Sequence, residues 1–404
     1  MEGLLDYIIT SSIKKIGNKT MTSEKTTKNK LIILLSVITF SCSEQNSADS
    51  LINDSSNDEF CGIDTTYTLD RTDFMIVRSP NCTYTVYGYG TEIIDELGNV
   101  IWSEGGSRTS PWSMNTTSDG GYVYTFTNYV SRSPGPDGDI AWSAELPAYQ
   151  ANHFVNDAIQ TTNGDYIVVG EIGGEPGPGG HDQKGQAFVL RMSDYGSIQW
   201  IKRFGIRNTL PDVFSEVVEA DDGGFVIVGN KIEEREFYFY DEFWIMKIDA
   251  NGNEEWSLEI GQNDRYDKAN DVIKLSDGSY VATGWSFIDD GIAAMRLIRF
   301  SSDGNVIWNK LAGGNGRYDI GTSLAVNNNE TVLMVAGMKV PSTGWDNVRM
   351  KLWGYNPWNG NQIFVRNNFS SEQALNASDV VAAYDNGFVV ISKTFFKMDS
   401  LGRW

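Results

Sequence analysis

Two histidines, three cysteines and 53 carboxylates are the groups in this chain that could serve as bases, nucleophiles or metal ligands. No G-x-S-x-G turn occurs, and no arrangement around His153 or His181 builds a nucleophile–base–acid triad. The Cys and His spacings do not fit zinc. "DANGNEE" sets Asp249, Asn251, Asn253 and Glu255 at alternating positions, the donor rhythm of a calcium loop. Gly252 is its fourth residue, however, where an EF-hand requires glycine at the sixth, so the stretch reads as a hairpin turn. A pair of carboxylates could run glycoside hydrolysis or lyase chemistry, but spacing singles out no pair among so many acids. No metal and no cofactor is expected, and catalysis is the less favoured reading.

Recognition is written more clearly. "KIEEREFYFYDEFW" carries Phe237, Tyr238, Phe239 and Tyr240 among acids, "EIGGEPGPGGHDQKGQ" is a glycine-rich excursion containing His181, and Trp285 and Trp345 occupy the equivalent places further on. Aromatic rings flanked by carboxylates and amides suit sugars or a protein partner. "GQNDRYDKAND" and "GGNGRYDIGTS" share an N-x-R-Y-D core, so Arg265 matches Arg317 and Asp267 matches Asp319. Such an Arg–Asp pair either holds a chain crossing together or touches ligand. The expected ligand-binding residues are Tyr238, Tyr240, Trp285, Trp345, Arg265 and Arg317.

A repeat must position these residues. "ADDGGFVIVGN" at Ala220 is echoed by "TSDGGYVYTFT", "TTNGDYIVVGE", "LSDGSYVATGW", "NNETVLMVAGM" and "AYDNGFVVISK". Asp-Gly or Asn-Gly supplies the positive φ of a two-residue hairpin, and the β-branched and aromatic run after it is a strand. Another strand precedes each turn, "FSEVVEA" in one copy and "ANDVIKL" in the next. A second Asn-Gly turn leads to a short strand ending in Trp102, Trp142, Trp200, Trp256, Trp308, Phe364 and Trp404, at spacings of 40, 58, 56, 52, 56 and 40. The pattern predicts an all-β fold, a seven-bladed β-propeller of four-stranded antiparallel blades. In such a meander the short turns share one end of the disc, and the long loops and inter-blade crossings share the other. The binding surface is expected at the long-loop end.

These copies resemble the "DGGyivvG … D.wliKlD.nGn..W" units of bacterial secreted β-propeller lipoproteins, over about residues 70–404. The resemblance implies architecture rather than a ligand. The near match to the sialidase box S-x-D-x-G-x-x-W fails, because Trp308 lies four residues after Gly304 and Trp200 four after Gly196. Such a Trp is expected to pack between blades. The quinoprotein repeat A-x-D-x-x-T-G-x-x-x-W is absent.

Ahead of the repeats, Lys25, Lys28 and Lys30 precede the apolar run "LIILLSVITF" and then Ser41-Cys42, the layout of a secretory signal. "TFSC" resembles a bacterial lipobox with Thr39 in place of the usual Leu, which would make Cys42 the lipidated residue. Residues 1–42 are read as upstream extension and signal, with Met1 or Met21 as the start, residues 43–60 as a polar tether and residues 61–404 as the propeller. Beyond residue 42 the chain holds 26 basic and 50 acidic residues, a net charge of −24 that argues against nucleic acid and against membrane contact other than by the lipid. Cys61 and Cys82 are an even pair suited to one disulfide in an exported protein. Residues 63–69, "IDTTYTL", are expected to join the last blade as its outer strand. The resulting expectation is a monomeric, non-catalytic binding module for a glycan or an envelope protein, located in the bacterial cell envelope or secreted. A polysaccharide-active hydrolase or lyase on the same scaffold is the alternative.

Overall fold

The computed structural model describes residues 75–79, 82–87, 90–95, 98–105, 111–135, 139–146, 153–172, 185–208, 212–235, 238–261, 266–289, 291–314, 317–342, 348–367, 379–392 and 395–403. The strands are antiparallel meanders, giving four-stranded sheets over residues 75–105, 113–145, 153–208 and 213–260. Residues 267–366 form one eight-stranded sheet, and residues 379–398 a three-stranded one. The eight-stranded sheet is two meanders joined by a single parallel bridge between Ala293 and Tyr318. This is a β-propeller with four-stranded antiparallel blades. Among the described residues no helix is long and apolar enough to cross a membrane.

Each blade buries both faces, so its middle strands are largely apolar: "FVIVG" and "FWIMKI" carry Phe225, Ile227, Phe243 and Ile245 at 0–1% exposure. Apolar clusters join successive blades around the axis. One packs Val228 against Ala282 and Ile298, the next packs Leu297 against Val335 and Trp353. The 75–105 blade meets both the 113–145 blade and the 379–398 blade, through Tyr87 with Tyr124 and through Ile76 with Val389.

The recurring aromatic lies near the start of the outer strand and does not end it as the spacing predicts: Trp142 opens the strand Trp142–Glu145, and Trp200, Trp256 and Trp308 are followed by four to eight further strand residues. Trp142 lies over Gly196, Trp200 over Gly252, Trp256 over Gly304, Trp308 over Gly360 and Phe364 over Gly402. Each covers the three–four turn of the following blade, and a Cβ on Gly252 would sit 2.9 Å from the Trp200 ring. The indoles of Trp142 and Trp256 also donate to the turn carbonyls of Asp194 and Ser302, each at 2.9 Å. Turn glycine and outer-strand aromatic are therefore one inter-blade contact written in two adjacent repeats. The one–two turns carry their own ion pairs, Asp222 with Lys247 and Asp277 with Arg299.

"DANGNEE" forms a hairpin. Asp249 accepts the backbone N–H groups of Asn251 and Asn253, both at 2.8 Å, and Glu255 pairs with Lys247.

Candidate functional site

The first strands of the blades surround an axial funnel of about 980 Å³. Its wall is shaped by β-bulges, which explain the glycine that closes each "VIVG" phrase. Pairing slips by one residue at Asn156, Ser215, Asn270 and Thr322, opposite Gly170, Gly229, Gly284 and Gly337. A Cβ on those glycines would overlap the carbonyl oxygens of Phe154, Val213, Lys268 and Ile320. Blades with no glycine there, at "YVYT" and "FVVI", pair without a slip.

The bulge turns the next residue, Asp157, Glu216, Asp271 or Ser323, toward the neighbouring blade. Asp157 accepts the Val217 N–H at 3.2 Å, and Asp271 the Leu324 N–H at 2.6 Å. Asp379, at the same place in the last blade, accepts the Ile76 N–H at 3.1 Å and closes the ring. Asn156 and Asn270 reinforce the clamp by donating to the Phe214 and Gly321 carbonyls, each at 2.7 Å. Asp157 also accepts from Ser113 and Asn115 at 2.5 and 2.8 Å.

Burial pushes the Asp157 carboxyl above the usual carboxylate range, against the pull of its hydrogen bonds. It raises Asp379 to about 6 and Asp271 to about 7. Glu216 is driven well above its ordinary value by burial and then by the Asp157 charge, to which it hydrogen-bonds.

At the funnel mouth on the long-loop side, Trp112 is 56% exposed and tilts against Phe154 with ring centroids 5.8 Å apart. Lys268 and Glu171 share this mouth, and the Lys268 charge partly offsets the rise that burial imposes on Glu171. The same lysine opposes burial at Asp241, which still rises to about 6. Lys268 pairs across the strands with Trp285, so the mouth continues into a row of rings. Trp285 meets Phe287 at 5.5 Å, Phe287 meets Tyr266 at 5.8 Å and Tyr318 at 5.7 Å, and Tyr240 lies 6.5 Å from Tyr266. Tyr266 is 44% exposed, and the exposed Arg317 lies over Tyr318 at 5.0 Å. All sit at the end of the strands opposite the Asp-Gly turns, because Tyr266 and Tyr318 begin first strands and Trp285 and Phe287 end a second one.

Of the expected ligand residues, Tyr240, Trp285 and Arg317 thus gather at one face, and none of the three lines the funnel. The Tyr238 side chain, Arg265 and Trp345 lie outside the described residues, as do Cys42, Cys61, Phe237 and His181. Arg317 does not pair with Asp319. Asp319 is fully buried and binds Lys351 at 2.6 Å and the Gly314 N–H at 2.9 Å, so its role is to hold the crossing. Tyr266, Tyr318, Phe287, Trp112 and Phe154 were not among the expected ligand residues. The two tyrosines belong to the repeated N-x-R-Y-D core, the one sequence signal that pointed at them. Among the described residues no group of three or more His, Cys, Asp or Glu is placed to hold a metal ion. Cys82 is disulfide-bonded.

No family model matches the chain, and no curated protein matches it. A solved structure with a similar fold is described as the extracellular domain of a hybrid two-component system from B. thetaiotaomicron. Its TM-score is 0.50 at 10% identity, with 83% of this chain and 43% of that chain covered. The chain spans less than half the length of that structure, and at this identity the likeness concerns the fold alone.

Proposed function

We propose that the chain is a non-catalytic, exported binding module that holds a glycan on the long-loop face. The aromatic row from Tyr240 through Tyr266 and Phe287 to Tyr318 carries this reading. Rings lying tilted or edge to face, with one tyrosine substantially exposed and an arginine beside them, form a platform for the apolar face of a sugar. Tyr238, Trp345 and Arg265 extend the same surface in this reading. The extracellular domain of a two-component system, with a similar fold, is in keeping with a binding role.

The hydrolase or lyase alternative is less favoured. Asp157 and Glu216 are in hydrogen-bond contact, whereas the paired carboxylates of glycosidases stand roughly 5–10 Å apart. The ring is proposed to have seven blades, supported by seven first strands from Met75–Ser79 to Asp379–Ala382, with the last tied to the first. We further propose lipidation at Cys42, a Cys61–Cys82 disulfide, residues 63–69 as outer strand of the last blade, and a monomer in the cell envelope.

A glycan array probed with the Cys42→Ser protein, alongside a turnover screen, tests the function. Binding that falls about tenfold in Tyr266→Ala with an unchanged melting curve is the expected result. Turnover of any bound glycan, or capture of an envelope protein with no glycan bound, overturns it.

A further inference from the structure

The funnel has features that ring closure does not require. Its wall holds Glu171, Glu216, Glu219, Asp271 and Asp379, against Lys268 alone among the described lysines and arginines. Charge is not needed to clamp one blade to the next. Ser113 and Ser323 occupy the corresponding wall position in two blades, both are neutral, and Ser323 accepts the Val380 N–H at 3.3 Å. Glu216 departs from the clamp role, since its hydrogen bond goes to the Asp157 carboxyl rather than to a backbone N–H of the next blade among the described residues. Two carboxyls in contact are tolerated when a proton lies between them or another positive charge lies against one of them. The cavity's volume is at the upper end of the range for small-molecule sites, roughly 300–1,000 Å³. At its mouth stand an exposed indole and a phenyl ring, side chains whose π faces attract cations.

We propose that the axial funnel is a second binding site, for a ligand bearing a protonated amine, with the ammonium seated between Glu216 and Asp271 and the carbon skeleton against Trp112 and Phe154. No covalent step is involved. In the empty funnel protons balance part of the wall charge, and the raised carboxyls of Glu216, Asp271 and Asp379 are the groups that hold them. An entering ammonium takes over that role, so Glu216 or Asp271 gives up its proton to solvent. Asp157, Asp271 and Asp379 are the charges that face Glu216 from the other blades, and all three favour a cation there.

The experiment uses the full-length protein and two probes of equal length, a chitosan tetramer with a free amine on each ring and its fully N-acetylated counterpart. Calorimetry at pH 6 in two buffers of different ionisation enthalpy should show the amine probe binding at least about tenfold tighter, with net proton release. Glu216→Gln and Trp112→Ala should each weaken the amine probe about tenfold. Asp271→Asn, whose amide oxygen can still accept the Leu324 N–H, supplies the same reading if Glu216→Gln does not fold. Equal affinity for the two probes, no proton release, or no binding of the amine probe overturns the proposal. A cation drawn only by the molecule's overall negative charge would ignore Trp112→Ala and Glu216→Gln, and that result overturns it too. The glycan reading is judged separately, by loss of the N-acetylated probe in Tyr266→Ala.

Discussion

Asp271 couples the blade clamp to pH. In the folded protein burial holds its carboxyl at about 7, whereas in the unfolded chain it titrates near 4. The folded state therefore binds the extra proton between those values, and linkage makes stability fall as pH rises through that window. Glu216 and Asp379 act in the same direction. Asp271→Asn keeps an acceptor for the Leu324 N–H and removes the titration, so its melting temperature should exceed wild type at pH 8 by about 2–4 °C and show less gain at pH 5. A gain of equal size at both pH values would contradict this account. Gly229 is a second single-residue test. Its missing Cβ makes room for the Val213 carbonyl in the bulge, so Gly229→Ala should cost roughly 2–3 kcal/mol in urea unfolding, while Gly223→Ala, with open space but a φ of 79°, should cost about 1. Equal costs would mean that the bulge is not what fixes this glycine.

Between elements, the unit of cohesion is a contact shared by neighbouring repeats. Trp200 and Gly252 lie in different blades, yet each is shaped for the other. Trp200→Ala should cost about 2–4 kcal/mol, Gly252→Ala about 1–2, and the double variant clearly less than their sum, as residues in contact do. Additive costs would show that the two act independently. The aromatic face should behave differently, because Tyr266 sits at a crossing and is partly exposed, so its loss should spare the fold.

This contrast explains how much of the molecule was legible. Turn glycines and the closing Trp recur at fixed places, and β-branched runs between them announce strands. The funnel acids were equally periodic, as "NDAI", "SEVV", "NDVI" and "SDVV", yet they gave no signal of a site. Their partners lie about one repeat away, Val217 for Asp157 and Leu324 for Asp271, and at Asp157, Glu216 and Asp271 a one-residue bulge decides where the carboxyl points. Nothing local in the sequence announces such a bulge apart from a glycine, which also has many other uses. The aromatic row was half legible. Tyr240 and Trp285 stood out in stretches that vary between copies and that the structure makes into strand ends, whereas Tyr266 and Tyr318 were masked by the arginine and aspartate beside them, of which Asp319 serves the crossing.

At the scale of the whole molecule the ring is closed by side chains from both ends of the described chain. Asp379 takes the Ile76 N–H, Tyr384 donates its hydroxyl to the Ser79 carbonyl, and the Arg78 guanidinium covers the Tyr384 ring at 4.1 Å. Tyr384→Phe keeps the ring under Arg78 and loses the hydroxyl bond, so it should cost about 1 kcal/mol. Cys61→Ser should cost about 2–4 kcal/mol if Cys61 is the partner of the disulfide-bonded Cys82, and a reducing agent should lower the wild-type melting temperature toward that of the variant. A variant as stable as wild type would assign the bond to Cys42 instead.

The overlap of ring on glycine runs one way around the ring of blades, each of the five aromatics from Trp142 to Phe364 reaching forward to a turn that comes later in the chain. During synthesis, at roughly 5–20 residues per second, a completed blade must wait several seconds for the segment that covers its indole. A nascent chain stalled just after Trp256 would carry that ring uncovered, and one extended past Gly304 would not. Indole quenching on ribosome-bound chains of stepped length should therefore fall in discrete drops, each marking the emergence of the next turn glycine, rather than decline smoothly with length.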